Sequence, residues 1–303
     1  MSSAYIAVDL STLPPPQIIE ALDFDTIFAD LLAELISRDS TFTALVESDP
    51  AYKVLQVAAY RETLLRQRVN EAAQALLLAY AVDGDLDQIG ANFDVQRLVV
   101  TPADNTTIPP TPAVMERDEA FRARIQQSFE GFSSAGPVGA YQFHALSASG
   151  LVLDVSVTTP QAGTVLVTIL HANGDGGAAN DANGALIATV RAALNADNVR
   201  PLCDTVIVQF ATILPYSINA TLEIDATVDQ DAVLSLARAQ AQVYANRVHK
   251  CGGAPTIAGV YAALWVTGVQ NVTLNAPGIQ ADMAAAKTQA SYCTGVTVDG
   301  VKV

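Results

Sequence analysis

The stretch from Asp49 to Ala79 constrains the fold most, because it predicts one long, uninterrupted helix. Asp49 followed by Pro50 is a typical helix start, since aspartate favours the N-cap and proline favours the first turn. No further glycine or proline occurs before Gly84. With ~1.5 Å of rise per residue, this helix is expected to be roughly 45 Å long. A single domain seldom needs such a rod, whereas a bundle shared between subunits does.

Apolar residues on this helix follow the alternating spacing of a heptad, with Glu62 as the one polar interruption. A first helix is predicted over 23–47, where apolar residues again recur at helical spacing. Two helices cannot enclose a core, so the pair must bury its apolar residues on the rest of the chain or on other subunits. The candidate interface residues are Phe24, Phe28, Leu31, Leu35, Leu55, Ala58, Leu65, Val69, Ala72 and Leu76, with Ala79 completing the heptad pattern.

Proline-rich segments lie on both sides of these helices. Residues 1–22 contain three consecutive prolines and are expected to be extended, either as a frayed terminus or as an arm that docks on a neighbouring chain. A short helix is predicted over 85–97. Four prolines within 101–114 then predict a semi-rigid linker with little regular structure, followed by helices at 116–131 and 137–149.

From residue 150 the apolar period changes from helical to alternating, which predicts strands interleaved with helices at 185–195, 229–249 and 256–266. The predicted fold is α+β, with an N-terminal long-helix bundle segment followed by two small α/β sandwich-like modules. Ala145-Leu146 before Gly150 and Ala263-Leu264 before Gly268 indicate either a weak internal repeat or a chance similarity. The predicted domain limits are 1–22, 23–98, 99–136, 137–211 and 212–303.

Composition restricts the function classes. The net charge is −15, with 16 Lys and Arg against 31 Asp and Glu, which disfavours nucleic-acid binding. No apolar run of ~18 residues predicts a membrane span, and the N-terminus lacks the pattern of a secretory signal. The three cysteines are widely spaced and are expected to be reduced thiols. Hydrophobic residues make up 50% of the chain, which suggests burial between subunits.

Few residues suggest chemistry, and we predict no metal and no cofactor. The three histidines lack metal-ligand spacing, so His144 and His249 are expected to be structural. Cys251 lies beside Lys250 but has no paired base. An acidic run resembles a calcium loop, yet its sixth position lacks the required glycine. That run comprises Asp83, Asp85, Asp87 and Asp94, with Gln88 at the sixth position.

A family resemblance is carried by several strings in order along the chain. They are DPAY…AYRE…LRQRVNEAA…LLAYA, then VDGDLDQIGANFDVQR at 82–97, PPTP at 109–112, DEAFRARIQQSFEGFSSAGPVGAYQFHALSASG at 118–150 and KTQASYCTGVTV at 287–298. With these strings the chain resembles the baseplate J-like family, the wedge proteins of contractile phage tails and of phage-tail-like bacteriocins. One departure is Asp94, which stands where the family pattern has glycine.

The resemblance implies a structural wedge subunit and no enzyme. In that family the N-terminal helices join partner wedge proteins in a heteromeric bundle, commonly two copies of this protein with one of another. The C-terminal modules meet neighbouring wedges in a ring around the hub that controls sheath contraction. The implied partners also include the sheath initiator and hub proteins, with assembly in the bacterial cytoplasm. The proline-rich linker would let identical chains place their C-terminal domains differently.

Two other functions are compatible with parts of the sequence. A tail-associated cell-wall hydrolase would need paired carboxylates, for which Glu116, Glu119 and Glu130 are the nearest candidates, although their helical spacing is typical of a solvated face. A homotrimeric coiled-coil adhesin would need heptads that continue beyond Ala79, and Gly84 and the later prolines interrupt them.

Overall fold

The computed structural model describes residues 8–14, 16–42, 45–133 and 136–303. The chain forms two compact units, one spanning Ile6–Gln96 and the other including Arg97–Val303. The first unit contains α1 (Phe24–Arg38), α2 (Pro50–Ala75) and α3 (Asp83–Asn92). Of the extended arm predicted over 1–22, residues 1–7 and 15 lie outside the described residues, and Leu10–Thr12 form a 3₁₀ turn.

Helix α1 is shorter than predicted. It starts where Asp23 accepts a hydrogen bond from the Thr26 N–H, which is a regular side-chain cap. It ends at Arg38 because Asp39 takes an extended backbone conformation, and its carboxylate accepts from the Thr41 N–H at 2.9 Å. A 3₁₀ turn over Ser40–Phe42 follows, so local side-chain bonding replaces the helix that was expected to continue to 47.

Helix α2 has 26 residues, which corresponds to about 39 Å of length. Pro50 occupies its first turn as predicted, but the carboxylate of Asp49 accepts from the Val46 N–H and not from a helix N–H. The helix stops at Ala75, before the predicted end at Ala79. The chain then turns around the Leu77 carbonyl, which accepts from the N–H groups of Tyr80 and Ala81.

Asp94 keeps the turn that follows α3. Its φ of 56° lies in the left-handed region, where glycine is the least strained residue and aspartate is tolerated. The Val95 N–H donates to the Gly90 carbonyl at 3.0 Å and closes the helix end. Asp94 therefore adopts at this turn a backbone conformation that glycine takes with less strain.

The segment predicted as a linker with little regular structure is the loop of a short β-hairpin, whose strands lie at its two ends. Strand β1 (Val99–Thr101) pairs antiparallel with β2 (Val114–Met115). Between them, Asp104 and Thr111 exchange two backbone hydrogen bonds of 2.9 Å. Threonine side chains that bond to Asp104 stabilise the loop, a local turn chemistry that proline content does not reveal.

Helix α4 (Asp118–Gly131) leads into a first α/β module. Its elements are α5 (Val138–Ala148), β3 (Val152–Gln161), β4 (Thr164–His171), α6 (Ala185–Leu194) and β5 (Thr205–Phe210). The sheet order is β3-β4-β5, with β3 antiparallel and β5 parallel to β4. Both helices pack on one sheet face around a core that includes Tyr141, Val167, Ile169, Val190 and Leu194.

The second module consists of β6 (Thr212–Ile224), α7 (Gln230–Val248), α8 (Ile257–Leu264), β7 (Val269–Leu274) and β8 (Gln289–Lys302). The sheet order is β7-β6-β8, with β7 antiparallel and β8 parallel to β6. Its core includes Ile218, Leu222, Ala237, Ala241 and Leu264, all fully buried.

The two modules share one architecture, which confirms the predicted α+β class. Each has a central strand with one antiparallel and one parallel neighbour, and two helices on the same face. In both, the helix that precedes the antiparallel edge strand belongs to the repeated sequence pattern, as α5–β3 and α8–β7. The order of the other elements differs, so the similarity is confined to this helix–turn–strand unit and the sheet pattern.

Candidate functional site

Helix α2 has one face that packs within its own unit. Only Ala59 and Asn70 are buried along this helix. At its N-terminal end, the Tyr52 ring meets the Phe28 ring of α1 edge to face, with 4.8 Å between ring centroids. This face therefore accounts for the packing of α1 and uses only a narrow part of the α2 surface.

Polar contacts extend the same packed face towards the helix C-terminus. The Asn70 side chain donates to the Glu20 carbonyl at 2.9 Å and accepts from the Glu20 N–H at 3.1 Å. Arg66 pairs with Glu62 one turn before it and with the Glu20 carboxylate at 3.3 Å. The Asn70 side chain thus binds both backbone groups of Glu20, which lies in the segment that precedes α1.

The opposite face of α2 carries apolar side chains that nothing in its unit covers. The exposed fractions are 68% for Leu65, 57% for Val69 and 80% for Leu76. An exposed apolar row of this length is typical of a protein interaction site. We define the α2 stripe as Val54, Ala58, Leu65, Val69, Ala72 and Leu76, which share this side of the helix by their spacing.

The structure divides the ten predicted interface residues into two groups. Phe24, Phe28, Leu31, Leu35 and Leu55 are partly buried, whereas Ala58, Leu65, Val69, Ala72 and Leu76 are exposed. Val54, which is 68% exposed, joins the second group and was missed because it does not fit the heptad spacing. The spacing of apolar residues alone carries no signal that separates the inner face from the outer one.

Basic side chains flank the α2 stripe. Helical spacing places Arg61 and Arg68 beside it, and both are exposed. Arg68 pairs with Glu71 at 3.3 Å, which is a weak surface contact. The rim of the stripe therefore favours a partner that brings carboxylates.

The strongest candidate for hydrolytic chemistry is a structural ion pair. Glu116 precedes α4 and is 8% exposed, so the prediction of a solvated face is wrong for this residue. Its carboxylate accepts two hydrogen bonds from Arg124, at 2.6 and 2.8 Å, and one from the Leu98 N–H at 3.2 Å. These bonds tie the start of the hairpin to α4, and Glu119 remains exposed on the helix.

Cys251 is a poor nucleophile. Burial, followed by the neighbouring Asp154 carboxylate, raises the pKa of Cys251 to about 12. The backbone N–H of Cys251 donates to Asp154 at 2.7 Å, and this bond links the second module to β3 of the first. Burial also raises the pKa of Asp154 above its usual value.

The two histidines at helix positions make structural contacts, as predicted. His144 bonds the Gly131 carbonyl at 3.2 Å, and burial lowers its pKa. His249 bonds the Ser291 carbonyl at 2.7 Å. Within the described ranges, no group of three or more His, Cys, Asp or Glu side chains is placed to hold a metal ion. Asp83 and Asp94, from the acidic run, both have positive φ values and serve as turn residues.

Comparisons with known proteins agree with one family. Residues 47–104 match the model of the baseplate J-like N-terminal domain, and residues 133–210 match that of the baseplate J-like central domain. Baseplate protein J of Escherichia phage P2 is 47% identical over 294 residues, which covers 95% of this chain and 95% of that protein.

A structural similarity is also found with a chain in a cryo-EM structure of the anti-feeding prophage (AFP) baseplate. That similarity covers 90% of this chain and 53% of the other, with 13% identity and a TM-score of 0.29. Separately, none of the helices in the described part of the chain is long and apolar enough to cross a membrane.

Proposed function

The chain belongs to the baseplate J-like family, and from this premise we propose that it is a structural wedge subunit in the baseplate of a contractile tail. The near full-length similarity to a phage baseplate protein supports the structural role. The ion pair that occupies Glu116 also supports it, because this carboxylate holds a hairpin in place.

The exposed α2 stripe carries the finer proposal. We propose that α2 packs into a heteromeric helical bundle, with two copies of this chain and one copy of a partner wedge protein. Leu65, Val69 and Leu76 would lose their solvent exposure in such a bundle. Burial of apolar area stabilises an assembly by roughly 25 cal/mol per Å². Carboxylates on the partner would meet Arg61 and Arg68 at the rim.

The two modules would provide the remaining wedge contacts. In this proposal the second module meets neighbouring wedges and closes a ring around the hub, and the opening of that ring controls sheath contraction. Sheath initiator and hub proteins would be the other neighbours. The shared design of the two modules supports this assignment, since each builds its own two-layer core of helices on a sheet.

The test is to place a charge on the stripe and to follow the heteromeric complex. Leu65→Asp and Val69→Asp, made separately and together, should abolish co-purification with the wedge proteins expressed from the same tail gene cluster. Leu202→Asp is the matched control, because Leu202 is 96% exposed and lies in the other unit. Thermal unfolding should be unchanged in all variants. If the double variant recovers as much of the complex as the wild-type protein does, the proposed bundle is refuted.

A further inference from the structure

A groove in the second unit lies between the β1–β2 hairpin, helix α4 and the first module, and we call it the hairpin groove. Its volume of about 520 Å³ is within the range of roughly 300–1,000 Å³ that ligand pockets usually have. Apolar side chains from all three parts form much of its wall, including Val100, Val114, Met115, Ala123, Val152 and Leu153. Val114, Met115 and Leu153 are 52%, 43% and 39% exposed, so an occupant can reach this wall.

The walls of the hairpin groove are held in place by contacts within the unit. The Glu116 carboxylate accepts hydrogen bonds from the Leu98 N–H at the hairpin and from Arg124 of α4. Gly150 lets the hairpin lie close to the first module, because a Cβ atom there would be only 3.0 Å from the Val99 carbonyl oxygen. The groove is therefore formed before an occupant arrives, and this protein loses little conformational freedom when it binds.

Arg117 gives the hairpin groove an unpaired positive charge. The other ionisable side chains that line the groove are already engaged, since Glu116 and Arg124 pair at 2.6 Å and the Asp154 carboxylate accepts from a backbone N–H. Arg117 precedes α4 and is exposed. Within the described ranges its side chain makes no ion pair and no hydrogen bond. A cation at an open groove favours an occupant that brings a carboxylate.

A second groove continues beyond Arg117. It has a volume of about 360 Å³ and shares Arg117, Leu153 and Ala172 with the hairpin groove, so the two are continuous. Its remaining wall is mostly polar and includes Gln242, Asn246, His249 and Tyr292 of the second module. Amide, imidazole and phenol groups can donate to and accept from a peptide backbone. The continuous groove is thus apolar at one end, cationic in the middle and polar at the other end.

The apolar end also contains an acceptor without a partner. The side-chain oxygen of Gln127, a residue of the groove wall, is buried and has no hydrogen-bond partner in the described part of the chain. Buried polar atoms are normally paired. An extended peptide carries one N–H in almost every residue, so rotation of the Gln127 amide towards the groove would give this oxygen a donor.

From these observations we infer that the hairpin groove binds an extended segment of a partner protein in which an aspartate or glutamate lies next to apolar residues. The apolar side chains of that segment pack against Met115 and Ala123. Its carboxylate pairs with Arg117, its backbone bonds the Gln127 amide, and its chain continues over the polar groove. This site is separate from the α2 stripe, so the inference goes beyond the proposed bundle and does not rest on it.

The first experiment probes an array of ten-residue peptides with the full-length protein. The overlapping peptides cover every protein encoded in the same tail gene cluster, this chain included. Bound peptides should combine apolar residues with Asp or Glu, and exchange of that acid for its amide should weaken binding in solution at least ~10-fold. An array without bound peptides, or equal affinities of the acid and amide forms, would overturn the inference. Binding of peptides from this chain alone would overturn the choice of a partner protein in favour of a second copy.

A substitution tests the role of Arg117. Arg117→Gln should lower the affinity for the acid peptides to that for their amide forms and should leave the amide forms unaffected. The matched control is Arg191→Gln, because Arg191 is an exposed arginine of α6 that does not line either groove. Equal effects of the two variants would show a general loss of positive charge and would contradict a pairing at Arg117.

A second substitution tests the apolar end. Ala123→Trp fills the space beside the hairpin and should abolish binding of both peptide forms, whereas Ala188→Trp on the exposed face of α6 should not. Thermal unfolding should be the same for both variants, since both positions are exposed. Leu65→Asp on the α2 stripe should bind peptides like the wild-type protein. Peptide binding that resists both Arg117→Gln and Ala123→Trp would refute the groove, and this result would be distinct from a loss of the heteromeric complex in the α2 variants.

Discussion

Helices α2 and α7 use their apolar residues in different ways. Helix α7 has 19 residues and buries six of them on the sheet of its own module. Helix α2 has 26 residues and buries only two. Most helical stability in proteins comes from packing of an apolar face. The comparison therefore teaches that α7 is supported by its own chain, whereas α2 presents a long apolar face that its own unit does not cover.

The largest expected loss of stability comes from breaking a buried ion pair of the second unit, which is compared with breaking an exposed ion pair of the first. Arg124→Met leaves the Glu116 carboxylate buried without its partner and should destabilise the fold by about 3–5 kcal/mol. Arg66→Met breaks the exposed pairs with Glu62 and Glu20 and should leave the free energy of unfolding almost unchanged. Chemical denaturation followed by circular dichroism measures both. An equal loss of stability in the two variants would contradict the distinction between the buried ion pair and the exposed one.

Truncation of leucine compares the two apolar environments directly. Leu222→Ala removes a fully buried side chain in the second module and should cost about 2–5 kcal/mol. Leu76→Ala removes a side chain that is 80% exposed, so the free energy of unfolding of the isolated chain should change by less than about 0.5 kcal/mol. A large loss of stability for Leu76→Ala would mean that the α2 stripe is already buried within the isolated chain.

Asn70 tests whether the helical unit depends on its few internal contacts. Asn70→Ala leaves the N–H and carbonyl of Glu20 without their side-chain partner and should cost about 1–3 kcal/mol. Gln67→Ala is the control, because Gln67 bonds only to the exposed Glu71 in the contacts described. Thermal unfolding should separate the two variants, and a neutral Asn70→Ala would show that the segment around Glu20 contributes little to the unit.

Asp154 gives a pH-dependent prediction at the link between the modules. Burial raises its pKa in the folded state, so its contribution to stability is fully present below the unfolded pKa and is lost as pH rises through the folded pKa. Asp154→Asn keeps an oxygen for the Cys251 N–H and carries no charge. The variant should therefore gain stability relative to wild type as pH rises, and a difference that does not vary with pH would contradict this.

The smallest effect concerns the turn after α3. Asp94→Gly relieves the left-handed backbone at φ 56° and should stabilise the helical unit by up to about 1 kcal/mol. Asp94→Ala should destabilise it, because alanine lacks the local hydrogen bonding that lets aspartate adopt this conformation. A higher melting temperature for Asp94→Ala than for Asp94→Gly would contradict the left-handed backbone conformation at this position.

The sequence predicts the element types well where the apolar period is regular. The α/β modules follow from alternating strands such as Leu151–Val157, and α2 follows from its heptad spacing. The hairpin at 99–115 was missed because its regular structure depends on Asp104 and threonine side chains, and prolines dominate its composition. The buried state of Glu116 was missed because Arg124 reaches it from eight residues away, and no local pattern reports such a pair.

The exposed side of α2 was predicted only in part. The heptad identifies Leu65, Val69 and Leu76 as apolar positions, but which side of α2 meets α1 depends on tertiary contacts such as that of Phe28 with Tyr52. Val54 lies on the exposed side by its angular position, and a strict three-four count omits it.

The most direct test of the account is the mass, by light scattering, of this protein co-expressed with the neighbouring tail proteins. The account predicts a stable complex of two copies of this chain with one partner. It further predicts that charge at Leu65 and Val69 removes this complex. A chain that stays free of those partners at all concentrations, with its α2 stripe still accessible to solvent, would contradict the central claim that α2 is completed by another subunit.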